Sequence, residues 1–443
     1  MNTPICDFLE SYATASPVRM HMPGHKGIAE RDSHDLTEIV GADCLFVADG
    51  IIGESEKNLS SIYGADSFYS AEGSSLSIKT ALYLLTLYAR EKGRKPLILS
   101  ARNAHRAFIS SAILIDFDVE WLGWGSDYLS SSLTAEALEA RLASGECPVA
   151  VYITSPDYLG GMVDIGAIAE VCHRHGTLLM VDNAHGAYLK FLSPSCHPID
   201  LGADISVDSA HKTLPALTGA GYLHLNKSID GFFKERVKDA MALFASTSPS
   251  YLILESMDRL NPYLAGTFSR DLQSIVCKIA DIKQKLTDFG FTLVRGESMK
   301  ITIKTKSYGY TGEELSNELQ KSNIYVEFFD SDYLTLMPST ATMDEELDRL
   351  TSALFSIERR PVISAAVPAF AIPERVMSPR AASMTPSVLL PIDKCVGRVL
   401  SETSVFCPPA VPIIVSGERI GEDLIPVLAY YGISALRVLK DET

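Results

Sequence analysis

The feature that most constrains the fold is an alternation of short apolar segments with amphipathic stretches through the first half of the chain. Strands of a parallel sheet have nearly continuous apolar runs, because helices cover both faces of the sheet. Five such runs are predicted as strands, covering residues 96–100, 119–122, 149–153, 178–181 and 203–207. The pattern predicts an α/β domain with a mostly parallel sheet.

Polar side chains follow four of these predicted strands. His105, Thr154, Asp182 and Lys212 come after the first, third, fourth and fifth strand, respectively. Right-handed crossovers bring the C-terminal ends of parallel strands to one edge of the sheet, where ligands bind. We therefore expect these four side chains to line one site.

The two last strand ends predict the chemistry of that site. One strand runs into Asp182, and the next runs into the segment Asp-Ser-Ala-His-Lys-Thr-Leu-Pro at 208–215. This arrangement fits pyridoxal 5'-phosphate (PLP), whose aldehyde forms a Schiff base with a lysine and whose ring nitrogen pairs with a carboxylate. An isolated lysine is most often a solvated surface charge, but the context of Lys212 favours the cofactor.

A candidate phosphate site precedes the predicted helix at 76–90. Gly73, Ser74 and Ser75 stand where free backbone N–H groups and the helix dipole attract an anion. Simple N-capping by serine explains the same residues equally well when they are taken alone. Together with Lys212, they are predicted to bind the PLP phosphate.

The second half of the chain has a different pattern. Alternating segments at 291–294, 300–304, 325–329 and 333–337, with helices near 313–319 and 344–357, predict a smaller α+β domain. Residues 361–391 are rich in Pro, Ala and Ser and are interpreted as a connector, and residues 1–60 as an irregular opening with a helix from 51. The predicted domains are an N-terminal segment (1–50), a PLP-binding α/β domain (51–270), a small α+β domain (271–370) and a connector with C-terminal segment (371–443).

Composition excludes several classes of partner. The formal net charge of −16 argues against nucleic acid, whose phosphates require a basic surface. The eight cysteines show no CxxC pair or His/Cys spacing, so we expect free thiols in a reducing compartment and no metal. We see no signal peptide and no apolar run near membrane-spanning length, which predicts a cytoplasmic protein without a membrane partner.

Three motifs carry a resemblance to a known family. They are Met-His-Met-Pro-Gly-His-Lys-Gly at 20–27, Arg-Asn-Ala-His-Arg at 102–106 and Ser-Ala-His-Lys-Thr-Leu at 209–214. They resemble the bacterial ornithine/lysine/arginine decarboxylases of PLP fold type I, and the run at 408–419 is similar too. The resemblance extends from about residue 15 to 430. It implies an aspartate aminotransferase-like fold with a seven-stranded, mostly parallel sheet and a smaller C-terminal α+β domain.

The resemblance also implies roles for individual residues. Lys212 would form the Schiff base, Asp182 would keep the ring nitrogen protonated, and His105 would stack on the ring; with His211, these are the predicted catalytic residues. Phosphate contacts are implied for Ser74, Ser75, Ser209 and His211. Ala184 would lie against the ring, with His185 and Thr154 also at the cofactor.

A homodimer is implied by one further segment. Ser246, Thr247 and Ser248 match a stretch that, in this family, reaches the cofactor across the dimer interface, so the active site would be shared between subunits. The sequence also departs from the family pattern, since Glu72 and Leu76 replace the commoner Asn and Thr around the phosphate loop. The chain is expected to be a short form that lacks the family's N-terminal wing domain.

The expected reaction is decarboxylation of a basic L-amino acid (arginine, lysine or ornithine) to its amine and CO₂, feeding polyamine metabolism. Alternatives are another fold-type-I PLP enzyme, an aminotransferase or aldolase, or a non-catalytic PLP-binding homologue. The motif at 20–27, with His21, His25 and Lys26, is interpreted either as a structural loop or as a wall of the active site. Three acids are candidates for the distal cation of the substrate, with surface exposure as the alternative: Glu327, Asp330 and Glu418.

Overall fold

The structure, a computed structural model, describes residues 1–29, 32–123, 133–407 and 411–440. Its α-helices are α1 (Pro4–Thr14), α2 (Ile51–Tyr63), α3 (Gly73–Glu91), α4 (Arg106–Ile115), α5 (Ala135–Ser144), α6 (Ile165–Arg174), α7 (Ala210–Thr213), α8 (Gly231–Ala242), α9 (Tyr251–Ala265), α10 (Phe268–Phe289), α11 (Gly312–Gln320), α12 (Asp344–Phe355), α13 (Pro379–Ser383) and α14 (Leu424–Tyr430). Its strands are β1 (Asp66–Ser70), β2 (Leu97–Ala101), β3 (Asp118–Leu122), β4 (Ala150–Thr154), β5 (Leu178–Asp182), β6 (Ile205–Asp208), β7 (Gly221–Leu225), β8 (Ile301–Lys304), β9 (Phe328–Phe329), β10 (Tyr333–Leu336), β11 (Ser387–Pro391), β12 (Ser404–Cys407), β13 (Val411–Val415) and β14 (Ala435–Leu439).

The main sheet has seven strands in the order β1-β7-β6-β5-β4-β2-β3. The β2–β3 and β5–β6 pairs are parallel, and in the latter Asp182 is aligned with Val207. Strand β7 runs antiparallel to both of its neighbours, β1 and β6. The predicted mostly parallel α/β sheet of seven strands is therefore confirmed. A three-stranded sheet, β8-β10-β9, and two-stranded β11-β14 and β12-β13 follow later in the chain.

The chain divides into two compact units, neither of them continuous in sequence. Unit 1 comprises residues 1–94, 141–151 and 164–274, and unit 2 comprises residues 95–140, 152–163 and 275–443. Unit 1 contains β1, β5, β6 and β7, and every residue of β6 and β7 is buried. In unit 2, apolar side chains of β13, α14 and β14 form a core that includes Ile413, Val427 and Val438. The domain boundaries given above stay a prediction.

Several local predictions were wrong. Residues 4–14 form α1 rather than irregular chain. Neither β1 nor β7 was recognised from its residues, because each carries buried polar side chains: Ser67 in β1 bonds with His224 in β7 at 2.8 Å. The predicted strand at 291–294 is reduced to an isolated antiparallel bridge between Leu293 and Ile303 of β8, flanked by hydrogen bonds from Val294 N–H to the carbonyl of Thr302 and from Lys304 N–H to the carbonyl of Thr292, both at 2.8 Å.

Other local predictions held. The helix predicted near 313–319 is present as α11, and it begins with a capping box in which Thr311 and Glu314 bond each other's backbone N–H groups. Pro408, Pro409 and Ala410, the first part of the predicted motif at 408–419, lie outside the described residues. Among the helices in the described ranges, none has the length and apolar character needed to span a bilayer.

Candidate active site

Two adjacent parallel strands of unit 1 end in the predicted acid and just before the predicted lysine. Asp182 is the last residue of β5 and is 1% exposed, and its Oδ1 accepts the N–H of Ala184 at 3.2 Å. Lys212 lies in the short helix α7, which begins directly after β6 and Ser209. The alignment of Asp182 with Val207 in the β5–β6 ladder places the acid beside the strand that leads to the lysine.

The amine of Lys212 lies close to a histidine. Its Nζ is 3.1 Å from Nε2 of His185, a buried residue that follows Asp182 by three positions. An amine at this distance exchanges a hydrogen bond with the imidazole, so His185 is placed to hold or return a proton at Nζ. The sequence prediction had placed His185 beside the cofactor without assigning this contact.

The start of α3 forms a narrow cradle in unit 1. Gly73 has a φ of +65°, a conformation that favours glycine, and its N–H donates to the carbonyl of Gly219 at 2.6 Å. A Cβ at Gly221 would lie only 2.7 Å from the carbonyl carbon of Gly73, so glycine is required for this approach. Ser74, in the first turn of α3, accepts a hydrogen bond from Ser209 at 2.8 Å between their Oγ atoms.

These contacts join the two segments that were predicted to bind phosphate. Ser209 comes from the end of β6 and Ser74 from the N-terminal turn of a 19-residue helix, where free N–H groups collect. His211 belongs to the same group: its Nδ1–H donates to the carbonyl of Ala220 at 2.7 Å, and its ring lies 3.6 Å from where a Cβ on Gly73 would be. Ser75 lies beside Ser74 in the same turn and is partly exposed.

The donor set of unit 1 fits PLP. The cofactor requires an amine for its aldehyde, an acid for its ring nitrogen and hydroxyl or N–H groups for its phosphate. Lys212, Asp182 and the Ser74–Ser209 pair supply these groups, and Gly73 and Gly221 add no side chain of their own to the cradle at the start of the helix. The roles of the individual residues remain predictions.

The segment predicted to reach across a dimer interface is exposed in this chain. The N–H of Ser246 donates to Oε1 of Glu72 at 2.7 Å, and Glu72 is the residue that precedes Gly73. The side chains of Ser246, Thr247 and Ser248 all face solvent. This segment therefore adjoins the phosphate cradle of its own chain.

Two predicted site residues belong to unit 2. His105 is the N-cap residue of α4, and its Nδ1 accepts the N–H of Ala107 at 3.2 Å. Thr154 ends β4, and its Oγ1 is buried with no hydrogen-bond partner in the described part of the chain. A buried hydroxyl of this kind is a candidate ligand contact. The contact of His105 with the cofactor ring stays a prediction.

The histidine-rich loop at 20–27 is held by contacts within unit 1. His25 lies 3.1 Å from Asp35, and His21 bonds with the hydroxyl of Tyr12. Lys26 donates to the carbonyl of His21. Each of these three polar side chains therefore has a partner that holds the loop in place. The role of the loop as an active-site wall stays a prediction.

The interpretation of Glu418 as a partner for the substrate cation, or as a surface acid, was wrong. Its side chain is 0% exposed and binds Arg102 with both carboxylate oxygens, at 2.6 and 2.7 Å. Glu327 remains accessible and accepts a bond from the hydroxyl of Tyr158 at 3.3 Å. Asp330 is buried, and burial raises its pKa to about 6.

Sequence reasoning also missed Asn183 and Asp208, which lie next to the predicted site residues. Both are completely buried, and Nδ2 of Asn183 donates to Oδ1 of Asp208 at 2.8 Å. The available signal was positional: both residues stand at the ends of neighbouring strands, as Asp182 does.

Comparison with known proteins identifies the family. A family model described as "Orn/Lys/Arg decarboxylase, major domain" matches residues 3–306, and one described as "Orn/Lys/Arg decarboxylase, C-terminal domain" matches residues 365–439. The chain belongs to the Orn/Lys/Arg decarboxylase family. The resemblance inferred from its motifs is thereby confirmed.

Individual members of the Orn/Lys/Arg decarboxylase family match most of the chain. An arginine decarboxylase of Halalkalibacterium halodurans is 29% identical over 460 residues, which cover 95% of this chain and 91% of that protein. An arginine decarboxylase of Bacillus subtilis is 27% identical, with 96% and 92% covered. The solved structure of the Francisella novicida lysine decarboxylase LdcF superposes with a TM-score of 0.81 at 16% identity, covering 99% of this chain and 81% of that one. At that identity the structural likeness establishes the fold alone.

Proposed function

We propose that this protein is a PLP-dependent decarboxylase that converts a basic L-amino acid (arginine, lysine or ornithine) to its amine and CO₂. The observation that carries the proposal is the arrangement of Lys212, 3.1 Å from His185, beside the strand that ends in buried Asp182. Membership of the Orn/Lys/Arg decarboxylase family supports the reaction, and the named arginine decarboxylases support a basic substrate.

Bound PLP supplies an electron sink for the bond pair that is released when CO₂ leaves the substrate. Lys212 would hold PLP by its amine, at the position that the amine of the substrate would take. His185 would accept or return a proton at Nζ of Lys212, since its Nε2 lies within hydrogen-bond distance. Lys212 or His185 then supplies the proton at Cα.

The remaining residues hold and orient the reactants. The carboxylate of Asp182 keeps a proton on the ring nitrogen through an opposite charge and a hydrogen bond. Ser74 and Ser209, with N–H groups of the first turn of α3, hold the phosphate and so fix the ring. His105 covers the ring and excludes water in this proposal. With PLP held in this way, the site would orient the substrate so that the bond to its carboxylate is the one that breaks, which selects decarboxylation over transamination.

An assay with arginine, lysine and ornithine, each with added PLP, tests the proposal. We expect release of CO₂ and the matching amine from at least one substrate, and loss of that activity in Lys212→Ala. Lys227→Ala, which removes an exposed lysine, is the control and should retain activity. Formation of a keto acid without CO₂ would favour an aminotransferase, and PLP binding with no turnover of any substrate would favour a non-catalytic homologue; either result rejects the proposal.

We further propose that the active enzyme is a cytoplasmic homodimer that supplies amines to polyamine synthesis. The N–H of Ser246 bonds Glu72 of its own chain, but the side chains of Ser246–Ser248 are exposed and accessible to a second subunit, as are the large apolar side chains of Met20 (87% exposed) and Ile28 (90% exposed). Mixing Lys212→Ala with a Thr247→Trp variant should restore activity if the site is shared. A strictly monomeric, active protein in sedimentation would contradict the dimer.

A further inference from the structure

A buried polar network lies at the ends of β5 and β6. Its members are Asn183, Asp208, His197 and His224, and each is completely buried. Polar groups in such a position are costly unless they are paired, so the network is expected to have a defined role. None of these residues takes part in the chemistry described above.

Asp208 is the centre of the network. Its Oδ1 accepts a hydrogen bond from Nδ2 of Asn183 at 2.8 Å, and its Oδ2 lies 3.1 Å from Nε2 of His197 and 3.4 Å from Nε2 of His224. Burial alone would raise the pKa of Asp208, but the two histidines outweigh it and hold that pKa well below its usual value. Asp208 is therefore a buried carboxylate with both oxygens engaged.

His197, Asp208 and His224 are close enough together to resemble a metal site, since their potential ligand atoms lie within 4.8 Å of one another. The hydrogen bonds argue against that interpretation. Nδ1 of His197 accepts the N–H of Ile199 at 3.3 Å, so the ring proton lies on Nε2 and points at Asp208. With a proton between ring and carboxylate, His197 and Asp208 form a hydrogen-bonded pair.

Asn183 ties the two strand ends together through two bonds. Its N–H donates to the carbonyl of Val207 at 2.9 Å, and its side chain donates to Asp208, the next residue. The chain then turns at Gly186, where a Cβ would lie 2.0 Å from Oδ1 of Asn183. The Asn183 side chain thus packs against the backbone that immediately follows His185.

We propose that Asn183 and Asp208 are positioning residues that hold the ends of β5 and β6 in fixed register, so that His185 faces Lys212. Asn183 acts through its neighbours Asp182 and His185, and Asp208 acts through Ser209 and α7. The inference rests on the proposed function, because it concerns the alignment of groups that hold PLP. It extends that function by assigning the alignment to two residues that touch neither cofactor nor substrate.

The test compares two buried asparagines of unit 1. Asn183→Leu removes the bond to Asp208 at nearly constant size. Asn261→Leu is the control, because Asn261 is equally buried and its amide bonds to Ser55 and Tyr69 rather than to the strand ends. Both variants of the full chain should lose thermal stability. The deciding readouts are the PLP dissociation constant, the visible circular dichroism of bound PLP and the pH midpoint of its absorbance.

We expect Asn183→Leu to weaken PLP binding by about tenfold or more and to change the dichroism or the pH midpoint, whereas Asn261→Leu stays within about twofold of the wild type. Equal behaviour of the two variants would overturn the inference while leaving the proposed function intact. Failure of the wild type to bind PLP would instead reject the proposed function.

A second variant covers the case in which Asn183→Leu does not fold. In Asn183→Asp, two carboxyls share the buried site, so one must stay protonated for a hydrogen bond to form between them. PLP affinity of this variant should fall as the pH rises and the shared proton is lost, relative to the wild type at each pH. A constant ratio of the two affinities across the pH range would contradict the inference.

Discussion

Arg102 and Glu418 form a two-point ion pair inside unit 2, although they lie 316 residues apart in the sequence. The guanidinium also donates to the carbonyls of Pro412 and Ile413 and lies 4.7 Å over the ring of Trp121. Arg102 precedes His105 by three residues. The C-terminal segment is therefore joined directly to the chain that leads into the N-cap of α4.

Removing one partner of this pair should destabilise unit 2 strongly. Glu418→Gln leaves the Arg102 charge buried without its counter-ion, and we expect a loss of about 3–5 kcal/mol in the free energy of unfolding. Glu318→Gln is the control, since Lys321, its partner, is 69% exposed, and its effect should stay below about 1 kcal/mol. Urea unfolding followed by circular dichroism measures both, and equal midpoints for the two variants would contradict the account.

The close approach of Gly221 to Gly73 predicts that one methyl group added at Gly221 will weaken PLP binding. Gly221→Ala places a Cβ 2.7 Å from the backbone of Gly73, so the start of α3 must shift. We expect PLP affinity to fall by about tenfold or more, because the phosphate depends on that turn. Gly231→Ala, in a helix with nothing within 4 Å of the new Cβ, should leave affinity unchanged. Fluorescence titration with PLP compares them, and an unchanged affinity in Gly221→Ala would argue against the cradle as the phosphate site.

Asp330 should make stability depend on pH between about 4 and 6. Burial raises its folded-state pKa from 3.8 to about 6, so the folded protein prefers the protonated acid. The stabilisation that protonated Asp330 gives the folded protein is complete at pH values below the pKa of Asp330 in the unfolded chain. It is lost as the pH rises through the pKa of Asp330 in the folded protein, at up to about 1.4 kcal/mol per pH unit. Asp330→Asn removes the titration, so the difference in unfolding free energy between wild type and variant should change across that range. A difference that does not vary with pH would exclude the effect.

Asp182 should matter more for turnover than for cofactor binding. Asp182→Ala removes the charge that we propose keeps the ring nitrogen protonated, while the proposed lysine and phosphate contacts remain. We expect kcat to fall by about a hundredfold or more, with a much smaller loss of PLP occupancy. Steady-state kinetics at saturating PLP, together with the PLP content of the purified variant, separates the two effects. Normal turnover by this variant would contradict the assigned role.

The sequence predicted the features that depend on local pattern. The strands β2 to β6 were recognised because their residues are apolar and helices separate them, and Lys212 and Asp182 were proposed as site residues because each stands at a strand end. The strands β1 and β7 were not predicted because each contains a buried polar residue. Ser67 and His224 form a hydrogen bond with each other inside the sheet, and an apolar pattern does not reveal such a pair. Only the tertiary structure pairs such residues.

Contacts between residues that are distant in the sequence also explain why Glu418 was misinterpreted and why Asn183 and Asp208 were missed. Glu418 was interpreted from its position alone, and its buried partner Arg102 is distant in sequence. Asn183 and Asp208 were visible in the sequence, but their hydrogen bond depends on the parallel register of β5 and β6. The positions of charged and polar residues in the sequence thus predicted a candidate site, whereas the contacts around those residues required the fold.

The most direct test of the central claim is to locate the covalent attachment of the cofactor. The protein is loaded with PLP, reduced with borohydride, digested and analysed by mass spectrometry. The account predicts a single reduced pyridoxyl modification on Lys212, absent in Lys212→Ala and retained in Lys227→Ala. Modification of a different lysine, or none in protein that has been saturated with PLP, would contradict it.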